Sequence, residues 1–147
     1  MQLVYKINVA CMPEVHLTKL LQLLRTCFVE AYVMDTHELR CFDSAIVAQQ
    51  NGNFIGVLFM RKEDAGKFSL HHFCVHPRFR QHGIGTQLVE ACQIEASNGD
   101  VVLCELGDCV RKESVESILL KLGFMHNEEK EHNESERKSK FTWSKDT

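Results

Sequence analysis

Apolar and polar residues alternate along Gln2-Leu3-Val4-Tyr5-Lys6-Ile7-Asn8-Val9, and this period of two predicts a strand over residues 2–10. The period then changes. Leu17, Leu20, Leu21, Leu24, Cys27, Phe28 and Ala31 recur at helical spacing, which predicts a helix opening at Pro13 and running to about Tyr32. Residues 34–43 are polar and irregular, with room for a short helix around Thr36–Arg40. Two apolar runs follow, Ala45–Ala48 and Phe54–Met60, and the Asn51-Gly52 pair between them predicts a hairpin. A turn at Glu63-Asp64-Ala65-Gly66 leads into a further strand, Phe68–Val75.

In the second half, Ile84, Leu88, Ala91 and Cys92 mark a helix to about Ser97, closed by Asn98-Gly99. Val101–Leu106 reads as a strand. Ser114 then starts a helix with Val115, Ile118, Leu119 and Leu122 on one face, stopped by Gly123. Phe124-Met125-His126 is a short strand, residues 127–140 a charged loop, and Phe141-Thr142-Trp143 the closing strand. The predicted order is β-α-(α)-β-β-β-α-β-α-β-β. Such an order gives an α/β (α+β) fold with a mixed sheet and helices on both faces.

Composition narrows the partners. The 147 residues suit one domain spanning 1–147, and a formal charge of -3 offers no basic field for nucleic acid. No stretch approaches the roughly 18 apolar residues of a membrane span, and the N-terminus lacks the apolar core of a signal peptide. Seven cysteines, odd in number and scattered, point to reduced thiols and a cytoplasmic protein, with the nucleus equally open.

The chemistry concentrates between Val75 and Cys92, where strand, glycine turn and helix follow one another. A helix N-terminus presents amides without helical acceptors and favours negative charge, so such a turn can hold a phosphate. A Walker A loop is excluded because Thr86-Gln87 follows Gly85, and a dinucleotide fingerprint is excluded because Leu88 stands where a third glycine belongs. What remains is Arg80-Gln81-His82-Gly83-Ile84-Gly85. With Val75-His76-Pro77 before it and Lys121-Leu122-Gly123-Phe124 downstream, this segment resembles the acetyl-CoA motif of the GCN5-related N-acetyltransferases, the GNAT superfamily.

The resemblance implies a splayed sheet, with the strand Phe68–Val75 parting from Val101–Leu106 and the pantetheine arm of acetyl-CoA lying between them near Phe73 and Val75. It places the pyrophosphate on the amides of Gln81, His82, Gly83, Ile84, Gly85 and Thr86, with Arg80 and His82 adding positive charge. The acceptor is then an amine, on a small molecule or on a peptide or protein; pairing of two copies as a homodimer stays open. One departure stands out. Where the family commonly carries a general-acid tyrosine, counting back from Phe124 lands on Leu119, and the family's asparagine position falls on Lys112. Cys109, Ser114, Ser117 or water then remain as proton donors to the leaving thiolate. This departure keeps a second reading alive, a catalytically weak acyl-CoA-binding protein with a regulatory role.

For the base, period two puts His71 on one strand face with Ser69, Phe73 and Val75, and this parity favours it. His72 is the candidate on the other face, and Glu105 the carboxylate on the neighbouring strand. His72, Cys74 and His76 also alternate along one face, but without paired ligand spacings they do not make a metal motif. Glu30, Asp35, Glu38 and Asp43 flank the acceptor region that the resemblance implies and favour a cationic acceptor.

Overall fold

The computed structural model describes residues 2–28, 35–64, 66–97, 99–105, 112–127 and 140–145, without the side chains of Glu105, Lys112 and Asn127. Elements follow in the expected order: β1 (Gln2–Asn8), α1 (Glu14–Cys27), α2 (Thr36–Leu39), β2 (Ser44–Gln50), β3 (Asn53–Asp64) and β4 (Lys67–Val75). Then come α3 (Ile84–Glu95), β5 (Val101–Glu105), α4 (Lys112–Lys121), β6 (Met125–Asn127) and β7 (Lys140–Ser144). The strands form one mixed sheet in the order β1-β2-β3-β4-β5-β7-β6. Neighbours are antiparallel except β4 and β5, which run parallel across the α3 crossover.

The central strands are buried on both faces, which explains their unbroken apolar runs. Ile46, Leu58, Met60 and Leu70 face α3 and α4 and pack with Leu88 and Leu119. Ala45, Val47, Val57 and Phe59 face α1 and pack with Leu17, Leu20 and Leu24. Full burial of each such large side chain contributes roughly 1.5–3 kcal/mol, so the two layers clamp the sheet between them. Between β2 and β3, Gln50 pairs with Asn53 across a two-residue turn. Asn51 and Gly52 both take positive φ there, as a primed hairpin turn requires.

Boundaries differ where a local hydrogen bond overrides periodicity. β1 stops at Asn8, whose side chain accepts the Ala10 amide at 3.1 Å and starts a 3-10 turn over Val9–Cys11. Pro13 is not within α1 but caps it, its carbonyl taking the Leu17 amide. The helix ends at Cys27, short of the expected Tyr32; Phe28 leaves it to pack edge-on against His72, and residues 29–32 lie outside the described set. Asp100 accepts the Ser97 amide at 2.7 Å beyond the end of α3 at Glu95, and α4 opens at Lys112 rather than Ser114. Leu106 and the charged loop over 128–139 lie outside the described residues.

One irregularity matters for the site. Val57 pairs with Cys74 but Phe59 pairs with His71, so β4 carries one residue more than β3 between them. His72 sits in this bulge with φ of 50°. Period two therefore fails at this point. Leu70 and Phe73 pack into the α3 layer, whereas Cys74 packs into the α1 layer and the rings of His71 and His72 meet Phe42 of that same layer. The expected sharing of one face by His71, Phe73 and Val75 is corrected: His71 and His72 lie together on the opposite side from Phe73.

Candidate functional site

Parallel pairing between β4 and β5 runs from Lys67–Val101 to Leu70–Cys104 and then stops. Beyond it, β4 continues through Val75 paired, among the described residues, only to β3, while the other edge of β5 pairs with β7 along its length. The sheet is splayed as the sequence implied. A cleft of about 520 Å³ lies along the parted end of β4.

Its walls come from four places. Phe73, Cys74 and Val75 supply the strand, Phe79, Arg80, Gln81 and Gly83 the turn, and Ile84, Gly85 and Thr86 the first turn of α3. The opposite wall is α4, through Glu113, Ser114, Val115, Ser117 and Ile118. All the sequence-predicted cofactor residues line the cleft except His82, which is exposed. Of the α4 wall, Ser114 and Ser117 had been named from the sequence as proton donors, whereas Glu113, Val115 and Ile118 had been given no place in the site.

Local geometry shapes the turn for an anion. Gln81 and Gly83 both take left-handed φ, 70° and 77°, with Gly83 as the N-cap of α3. The first helical hydrogen bond runs from the Gln87 amide to the Gly83 carbonyl, so the amides ahead of Gln87 have no helical acceptor. Successive amides in such a turn form an anion-binding concavity, reinforced by the helix dipole. A side chain at Gly83 would meet nothing within 4 Å, so it is the left-handed φ and not crowding that favours glycine there. Gly85 serves another purpose: a Cβ there would stand 3.0 Å from Ile118 and 3.3 Å from Phe73, so its absence lets α4 close on α3.

Arg80 bends back, its Nε donating to the Val75 carbonyl at 3.0 Å. Cys27 Sγ donates to the same carbonyl at 3.5 Å. A ligand amide at Val75 would share an acceptor already engaged. Hydrogen bonding with Cys74, helped by the Arg80 guanidinium, holds the Cys27 thiol below the usual range against the opposing effect of burial. No sequence pattern announces this meeting of α1, β4 and the turn.

On the α1 side, the rings of His71 and His72 lie 5.4 and 5.5 Å from that of Phe42, with the Arg61 guanidinium over Phe42 at 4.7 Å. The Ser69 hydroxyl bridges His71 Nε2 (2.6 Å) and the Glu63 carboxylate. Glu105 ends β5 opposite Lys140 of β7. Leu119 is buried in the α3 layer and does not line the cleft; Ser114 and Ser117 do, while Cys109 lies outside the described residues. Two of the four flanking acids have structural duties: Asp35 caps α2 by accepting the Glu38 amide, and Asp43 accepts the Lys62 amide. Glu38 is exposed and Glu30 lies outside the described set. Among the described residues no three His, Cys, Asp or Glu are grouped to hold a metal ion, and no disulfide joins two of their cysteines. No helix among them is long and apolar enough to cross a membrane.

This architecture has known counterparts. The family model for the acetyltransferase (GNAT) domain matches residues 42–126, more than half of the chain. The chain belongs to the GNAT acetyltransferase family. Solved structures of similar fold include an acyl-CoA N-acyltransferase from Pseudomonas aeruginosa, with a TM-score of 0.75 and 16% identity over 98% of this chain and 100% of that one. An aminoglycoside 6'-N-acetyltransferase complexed with coenzyme A gives 0.73 and 16% identity over 95% and 94%. The ribosomal-protein-S18-alanine N-acetyltransferase from Escherichia coli gives 0.65 and 12% identity over 97% and 91%. No curated protein matches the sequence.

Proposed function

We propose that the chain is an acetyl-CoA-dependent N-acetyltransferase that transfers acetyl directly to an amine. The observation that carries this reading is the coincidence of the splay with the turn: β4 leaves β5 at Leu70, and the parted strand ends at the left-handed turn of Gln81 and Gly83. A narrow arm ending in a pyrophosphate matches that shape. A fold neighbour complexed with coenzyme A supports it.

In this reading the amides from Gln81 to Thr86 hold the pyrophosphate, with Arg80 as the nearby positive charge. Phe73 and Val75 border the pantetheine arm. Acetyl-CoA supplies an activated thioester, so the chain needs to position the two reactants and move one proton. His71 takes that proton from the acceptor nitrogen, with Glu105 as the carboxylate alternative. Ser117, Ser114 or water returns a proton to the thiolate. The fold neighbours named above act on acceptors as unlike as an aminoglycoside and a ribosomal protein. The amine therefore has to be found by assay.

Leu119 supports a second reading, an acyl-CoA-binding protein with little turnover, because the family's usual acid position is occupied by a core side chain. Calorimetry with acetyl-CoA tests the shared premise, and absence of binding removes both readings. Free-thiol release over small amines, peptide N-termini and lysine peptides separates them: turnover at ordinary enzyme rates selects the transferase.

A further inference from the structure

The carbonyl of Val75 does not serve the sheet. The next amide, that of His76, donates to the Ile55 carbonyl on the β3 side at 2.7 Å, and no described peptide bond is cis. Carbonyl and amide point in opposite directions across a trans peptide. The Val75 carbonyl therefore turns away from β3, toward the edge that β5 has left after Leu70–Cys104. Such a strand edge can take an extended ligand by backbone hydrogen bonds, as it would take another strand.

This acceptor is already engaged. Arg80 Nε donates to it at 3.0 Å and Cys27 Sγ at 3.5 Å, and a carbonyl has two lone pairs. The two donors approach from different layers. Cys27 packs on the α1 side, whereas Arg80 lines the cleft. A ligand in the cleft therefore meets the Arg80 donor. That guanidinium also hydrogen-bonds the Cys27 thiol, and among the described residues it pairs with no carboxylate. Its positive charge stands next to the left-handed turn, one residue before Gln81.

We propose that Arg80 is a specificity-determining residue that exchanges partners: the pyrophosphate draws its guanidinium from Val75, and the freed carbonyl accepts an amide of the pantetheine arm. The proposal rests on the assignment of the cleft to acetyl-CoA. Hydrogen bonds are conserved in the exchange. Cys27 stays on Val75, the ligand amide takes the place of Nε, and the phosphate oxygens take the Arg80 donors in charge-assisted bonds. A pantetheine thioester without the pyrophosphate breaks the same bond and leaves Arg80 only water in return. The turn thus favours complete coenzyme thioesters by more than the phosphate contacts alone.

Chemical-shift titrations by nitrogen-15 NMR test this, because they reach weak ligands and report the fold of each variant in the same spectra. S-Acetylpantetheine should bind Arg80→Ala roughly threefold to tenfold more tightly than wild type, the range of one net hydrogen bond. Acetyl-CoA should bind the same variant about tenfold more weakly at low salt. A second measurement needs no variant for its main result: inorganic pyrophosphate should tighten the binding of neutral S-acetylpantetheine to wild type, and the gain should vanish in Arg80→Ala. S-Acetylpantetheine that binds wild type as well as Arg80→Ala, or binds neither, overturns the exchange. So does pyrophosphate that leaves its binding to wild type unchanged. Should acetyl-CoA fail to bind wild type, the assignment of the cleft falls; should it bind while either of those results appears, only the exchange falls.

Discussion

On its α3 side, β4 borders a cleft that ends at a turn of backbone amides; on its α1 side it carries a cluster made of side chains. The cleft depends on where hydrogen bonding stops, on two left-handed residues and on amides ahead of Gln87. The cluster of His71, His72, Ser69, Glu63 and Phe42 depends on which way each side chain leaves two bulges. A backbone site tolerates drift in side-chain identity, because every residue supplies an amide. A side-chain site is lost if one residue changes.

The contrast predicts that the two regions separate under mutation. The largest effect belongs to the side-chain cluster. His71→Gln should lower kcat by about 100-fold or more, the usual range for a lost general base, while acetyl-CoA affinity by calorimetry stays within about twofold. An unchanged kcat would remove His71 from the chemistry and shift the base to Glu105.

Gly83→Val should act in the reverse sense. A β-branched residue at φ of 77° is strained, so it should distort the turn that presents the amides. A combined cost near 2 kcal/mol corresponds to roughly 30-fold weaker acetyl-CoA binding. Circular dichroism and melting of the variant would separate this from unfolding. Arg80→Gln should be milder, about tenfold at low salt and less at high salt, because a half-buried charge is still partly screened. Salt-independent loss would instead mean that Arg80 matters through its bond to the Val75 carbonyl.

The smallest effect is a control in the core. Burial first, then Glu95, pushes the Cys92 thiol up to about 12. Its folded pKa is raised, so its contribution is whole below the ordinary thiol value of 9.0 and is lost as pH rises from there toward 12. By pH 10 the loss amounts to about 1 kcal/mol. Cys92→Val should flatten the fall of unfolding free energy over that window, leaving both sites as they were; an equal slope would contradict the assignment.

The sequence disclosed the backbone region far better than the side-chain region, for a physical reason. Glycine at 83 and 85, the strand before them and the apolar stripe after them are local signals; every residue they nominated lines the cleft except His82, but they gave no sign of Phe79 or of the Glu113, Val115 and Ile118 wall. The register of β4 is not local. A bulge has no composition of its own, and His72 at φ of 50° broke the period-two parity used to place His71 beside Phe73. Glu63 reached Ser69 through a second bulge that the hairpin pattern gave no sign of. Leu119 shows the converse: its helical periodicity with Val115 and Leu122 correctly foretold a core position.

The most direct test of the central claim is a calorimetric titration of acetyl-CoA into the wild-type chain and into Gly83→Val under identical conditions. One molecule bound per wild-type chain, with roughly 30-fold weaker binding in the folded variant, is the predicted result. A wild-type chain that binds nothing, or a variant that binds equally well, would contradict the assignment of this cleft and its turn to the acetyl donor.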